Sequence, residues 1–220
     1  MFRYAILSLF LFFAILMTAN AQAVFIEIRG TVEYRPANAA EWKPAVQGDT
    51  ITPGTVISTS FKSTAIINAG SSRIVIRPLT KLTLEDIIQN ANSDDIKLFV
   101  QTGRIRADVE PPQNGRINFT VRSPQVTNSV RGTSFEFDTV NLRVLSGVVR
   151  YSYKNGMTVF VAKGEASYVE EEGRRVVPPQ EIAAGSHIPH IPQFTGIDTG
   201  LRVPQIPSGS NVDFTLRPHW

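Results

Sequence analysis

From residue 24 onward apolar side chains recur at every second position, and that period imposes an extended chain with one buried and one wet face. Ile26 and Ile28 alternate with Glu27 and Arg29, and Ile74 and Ile76 with Arg73, Val75 and Arg77. Leu82 and Leu84 alternate with Lys81, Thr83 and Glu85. Ile105, Ala107 and Val109 alternate with charged residues, as do Phe135 and Phe137; Ile117, Phe119 and Val121 alternate with polar ones. Tyr151, Tyr153, Val159 and Val161 continue the pattern. Glycines punctuate these runs, and Asn114-Gly115 and Asn155-Gly156 predict hairpin turns, because both residue types tolerate positive φ. Many short strands between turns predict an all-β fold, with sandwich, barrel and solenoid all open. The one stretch passable as a helix is Glu85–Asn92, and Asn90–Asp95 is expected to be a polar surface loop.

Both ends differ from this body. Residues 1–23 combine Arg3, an apolar run from Ala5 to Met17, and two small-x-small triplets, Ala19-Asn20-Ala21 and Ala21-Gln22-Ala23. These are the parts of a secretory signal peptide, with cleavage after residue 21 or 23. The expected location is therefore periplasmic or extracellular, with no membrane span after cleavage. The β body is expected over 24–177. Residues 178–220 form a proline-rich tail holding half of the chain's 14 prolines, an extended strap or a flexible terminus.

Composition removes several functions. With no cysteine, disulfides, thiolate nucleophiles and zinc-thiolate sites are excluded. The net charge of +3 is spread along the chain, without the clustered basic stripe that nucleic-acid binding wants. His187 and His190 flank Ile188-Pro189 but have no third ligand in the pattern, so neither a metal nor a cofactor is expected. No Gly-x-Ser-x-Gly elbow is present. The adjacent carboxylates Glu85-Asp86 and Asp94-Asp95 should point to opposite strand faces, which rules them out as a catalytic dyad.

A series of short motifs runs from about residue 30 to 137. It begins with Gly30-Thr31-Val32, Trp42-Lys43-Pro44, Gly48-Asp49 and Gly54-Thr55-Val56-Ile57-Ser58-Thr59. It continues through Ala65–Asn68, Gly70-Ser71, Pro78-Leu79-Thr80 and Gly103-Arg104-Ile105. It closes with Phe119-Thr120-Val121, Ser123-Pro124 and Val130-Arg131-Gly132-Thr133-Ser134-Phe135. This order resembles the FecR domain, in the exported, stand-alone form. The resemblance implies an all-β fold of many short strands in a solenoid-like or twisted two-sheet arrangement, and makes Trp42, Gly48, Gly54, Val130, Arg131, Gly132, Thr133 and Phe135 structural motif residues.

Trp42 is expected to cap the core, and Arg131 to pair with a nearby carboxylate. Arg104, Arg106, Arg116 and Arg122, at outward positions, are the candidate binding residues: on neighbouring strands they would form a basic face for an anionic partner. The expected function is a non-catalytic binding or scaffold module of the cell envelope, holding a protein or a cell-wall glycan. The alternative is a solenoid-type carbohydrate-active enzyme.

Overall fold

A computed structural model describes residues 22–90, 92–170 and 175–183. Among them the alternating runs form eighteen strands, numbered in chain order. One sheet holds β1 (Ala23–Arg29), β4 (Thr50–Ile51), β6 (Thr64–Ala69), β7 (Ser72–Ile76), β10 (Ile105–Val109), β13 (Thr133–Phe137), β14 (Asn141–Ser146), β17 (Ala166–Glu170) and β18 (Arg175–Val177). The other holds β2 (Val32–Arg35), β3 (Lys43–Pro44), β5 (Val56–Thr59), β8 (Lys81–Asn90), β9 (Ser93–Thr102), β11 (Arg116–Arg122), β12 (Val126–Val130), β15 (Val148–Tyr153) and β16 (Thr158–Ala162).

The strand orders are β4-β1-β6-β7-β10-β13-β14-β17-β18 and β3-β2-β5-β8-β9-β11-β12-β15-β16. Both rise almost steadily, so the chain lays one or two strands on one sheet, crosses to the other, and climbs. Stacking of this kind lets each layer bury its face on its neighbours. The fold is therefore both solenoid-like and two-sheeted, and its sheets end in border strands rather than closing into a barrel. Pairing is antiparallel except between β9 and β11, which run parallel because β10, between them in sequence, lies in the opposite sheet.

The inward faces share one core. Phe25 of β1 meets Tyr34 of β2 at 5.7 Å between ring centroids, and Phe119 of β11 meets Phe135 of β13 at 6.3 Å and 73°, so aromatic contacts bridge the sheets. Ile74, Ile76, Leu82, Leu84, Ile105, Ala107 and Tyr151 are fully buried, on the parity their alternation predicts.

Five local expectations are corrected. In β1 the buried residues are Ala23 and Phe25, while Ile26 is 36% exposed, because a bulge between Phe25 and Glu27 shifts the parity. The stretch expected as a helix at Glu85–Asn92 is strand to Asn90, paired with β9. A bulge between Leu84 and Asp86 there leaves Glu85 and Asp86 half-buried side by side, so these two carboxylates do not fall on opposite faces. Within the segment expected as a polar loop, Asn90–Asp95, strand pairing reaches Asn90 opposite Ser93, and Asp94 is buried in β9. Asn114-Gly115 is a turn with Asn114 at φ 58°, but it joins strands of different sheets and makes no hairpin. Asn155-Gly156 does join the paired strands β15 and β16.

After β18, Pro179 opens a short helix, α1 (Pro179–Ala183), where its missing N–H costs nothing. Arg175 holds that helix to the sheet, donating to Glu181 at 2.7 and 2.6 Å and to Glu170 at 3.0 Å. The tail prolines from Pro189 onward, His187, His190 and residues 1–21 lie outside the described residues. No helix among the described residues is long and apolar enough to cross a membrane.

Candidate functional site

At one end of the stack, successive turns are tied together by buried hydroxyls. The Ser63 hydroxyl accepts the Thr31 N–H at 2.8 Å. Thr59 Oγ1 donates to the Arg77 carbonyl at 2.6 Å and accepts the Thr80 N–H at 3.0 Å. Thr80 Oγ1 in turn accepts the Arg104 N–H at 3.0 Å. Ser123 Oγ donates to the Thr139 carbonyl at 2.6 Å, and the Tyr151 hydroxyl donates to that of Val140. Each bond ties a side-chain hydroxyl to a main-chain group of a turn, so the turns are held by more than the strand ladders. Thr59 of the Gly54–Thr59 motif and Thr80 of the Pro78–Thr80 motif are thus turn locks.

Glycine lets these turns approach. Gly103 has φ 90°, and a Cβ there would run into the Thr80 backbone and lie 2.7 Å from the Leu79 carbonyl oxygen. Thr133 of the Val130–Phe135 motif plays the same part at the other end. Its Oγ1 donates to the Val148 carbonyl at 3.2 Å, and a Cβ on Gly147 would sit 2.7 Å from it.

The locked end carries a cleft of about 720 Å³ among Arg77–Leu79, Thr102–Arg104, Glu136 and Asp138–Asn141. A smaller hollow of about 270 Å³ shares Arg104, Glu136, Asp138 and Asn141 with it. Arg104 pairs with Asp138 at 3.2 Å and Arg77 with Glu136 at 3.6 Å, so both carboxylates in the cleft are neutralised. Asp138 also accepts the Asn141 N–H at 3.0 Å, which holds the turn between β13 and β14. Leu79 and Thr139, both lining the cleft, have φ of 58° and 69°. For a β-branched threonine this is strained backbone, and such strain persists only where the surroundings impose it. Beside the cleft, Phe61 is 70% and Leu79 61% exposed, on turns joined by a bond from the Leu79 N–H to the Ser60 carbonyl.

The four candidate arginines do not come together. Arg104 lines this cleft, and Arg106 pairs along its own strand with Asp108 at 3.3 Å. Arg122, in the other sheet, forks onto Glu85 at 3.1 and 2.6 Å. Arg116 lies at the opposite end of the stack, lining a hollow of about 540 Å³ with Arg131, Asp94 and Asp95. Arg131 is exposed and, among the described residues, makes no ion pair, so the expected carboxylate partner is not seen. Trp42 is half-buried outside the core, with the Arg35 guanidinium 5.3 Å and the Lys81 ammonium 5.8 Å from its ring. Cations on the ring surface, not core packing, surround it. Gly48 and Gly54 occupy turns at φ 93° and 82°. Phe61 and Leu79 carry no chemical motif. Only their place on turn residues rather than in alternating runs sets them apart in the sequence.

Burial, with Asp138 nearby, pushes the Tyr151 phenol well above its ordinary value near 10. The unfolded chain ionises this group near pH 10 while the folded chain keeps its proton, so the stability it confers is present below that pH and lost above it. Alkaline unfolding followed by circular dichroism should show stability falling from about pH 10, and Tyr151→Phe should flatten that fall.

Residues 55–150 match the family described as FecR protein. Two crystal structures of a "putative anti-sigma factor" from Parabacteroides distasonis ATCC 8503 are similar, at 16% and 14% identity and a TM-score of 0.46 each. The matches cover 59% and 60% of this chain, and 62% and 64% of those chains, so the chain spans under two thirds of their length. No curated protein matches it.

Proposed function

With residues 55–150 forming a FecR domain, we propose that the protein is an exported, non-catalytic binding module of the cell envelope whose locked turn end grips a partner protein. The observation that carries this is the exposure of Phe61 and Leu79, two large apolar side chains, on adjoining turns beside the 720 Å³ cleft. Exposed apolar groups on a rigid, polar-rimmed frame are what protein interfaces use as anchors. Both cleft carboxylates are held by arginines, which suits recognition better than acid–base work.

The immobilised protein should retain a partner from envelope extract. A Phe61→Asp/Leu79→Asp variant with an unchanged circular dichroism spectrum should lose at least tenfold in retention. Equal recovery by both would contradict the assignment, and retention by purified cell-wall glycan alone would shift it to the glycan reading.

Export is part of the same proposal. Ala23 is fully buried and pairs with Ile51 and Ala69, so processing after Ala21 leaves β1 whole whereas processing after Ala23 removes its first residue. N-terminal sequencing of the mature protein should begin at Gln22. A start at Val24 would contradict this.

A further inference from the structure

Among the described residues four strands border the sheets, and three of them are guarded against pairing with another chain. β3 is two residues and contains Pro44, β4 is two residues, and β18 is three residues that begin with Arg175 and lead into α1. Short length, proline and charge are the usual protections of a sheet edge. The fourth, β16, has five residues, Thr158–Ala162, with neither charge nor proline. Phe160 is 65% exposed, Val148 on the adjoining strand 52%, and Met157 41%.

The open edge has a definite phase. The Tyr153 N–H donates to the Met157 carbonyl at 2.8 Å, so by alternation Val159 and Val161 bond to β15, while Thr158, Phe160 and Ala162 direct their main-chain groups outward. Ala162 fits this phase: its N–H donates to Glu165 Oε2 at 2.8 Å, and its carbonyl accepts the Glu165 N–H at 3.0 Å. Among the described residues, no bond is made to the outward groups of Phe160.

We propose that β16 pairs antiparallel with the same strand of a second copy, about a two-fold axis at Phe160. Phe160, the middle residue, then exchanges both main-chain bonds with Phe160 of the partner subunit. On the inner face, the buried row Val149–Val161 continues into Val159 of the partner subunit. On the outer face, Arg150 stands opposite Phe160 across the β15–β16 ladder. The two rings therefore meet between two guanidiniums, and no like charges face each other. A strand without charge offers nothing to an acidic or basic partner but is complementary to itself.

Sedimentation velocity on the chain from Gln22 to Trp220 tests this. A monomer–dimer equilibrium is expected, weakened at least tenfold by Phe160→Lys and by Phe160→Pro. The proline removes an outward N–H and leaves the β15–β16 ladder intact. If Phe160→Pro fails to fold by circular dichroism, Phe160→Lys decides. The Phe61→Asp/Leu79→Asp variant should dimerise normally, which separates this surface from the partner-binding end. A chain monomeric at every concentration, or a dimer that survives Phe160→Lys, overturns the proposal.

Discussion

Gly103→Ala should destabilise the protein by about 2–5 kcal/mol, since it forces positive φ on a residue with a Cβ and overpacks a turn that cannot retreat. The clash is with the main chain of Leu79 and Thr80, and Thr80 is itself held by Thr59 and Arg104. Gly156→Ala is the matched control. Gly156 has φ 93° with open space around it, so it should lose only the backbone share, about 1–2 kcal/mol. Urea unfolding midpoints measure both. Equal losses would mean that the close approach of the turns is not what matters at Gly103. The same variant should weaken partner retention beyond its loss of stability, because it displaces Leu79.

Phe135→Ala should cost about 3–5 kcal/mol, the range for emptying a well-packed aromatic site. Phe135 is fully buried and its ring meets Phe119 of the opposite sheet, so the cavity opens between layers that no disulfide can hold together. Phe61→Ala removes the same atoms from a position 70% exposed and should change stability by no more than about 0.5 kcal/mol. Thermal unfolding of the pair separates core from surface. A small effect at Phe135 would mean that the two sheets do not share one core.

The strands that alternation made legible are those with a strict two-residue period, β7, β10, β11, β13 and β15, together with the Leu82–Leu84 part of β8. Bulges hid the parity of β1 and of the rest of β8. An extra residue at Phe25/Glu27 and another at Leu84/Asp86 reverse the faces, and nothing in the local sequence marks either place. β12 was hidden by Asn128, a polar residue facing inward, wholly buried, with both side-chain polar atoms unpaired in the structure. The turn-locking role of Thr59 and Thr80 was illegible because it depends on which turns become neighbours, which the climb of the chain between sheets decides. The same dependence scattered Arg104, Arg106, Arg116 and Arg122. Outward parity can be read along one strand, but the sheet and the end of the stack cannot. The cleft joins segments from Arg77 to Asn141, so its lining could only be named once the strand order was known.

Site-specific photocrosslinking in living cells tests the central claim most directly, that the locked turn end is where the partner sits. Crosslinkers at positions 61 and 79 should capture one and the same protein. A crosslinker at position 127, half-buried on the outer side of β12, should not capture it. Equal capture at position 127, or none at 61 and 79, would contradict the account.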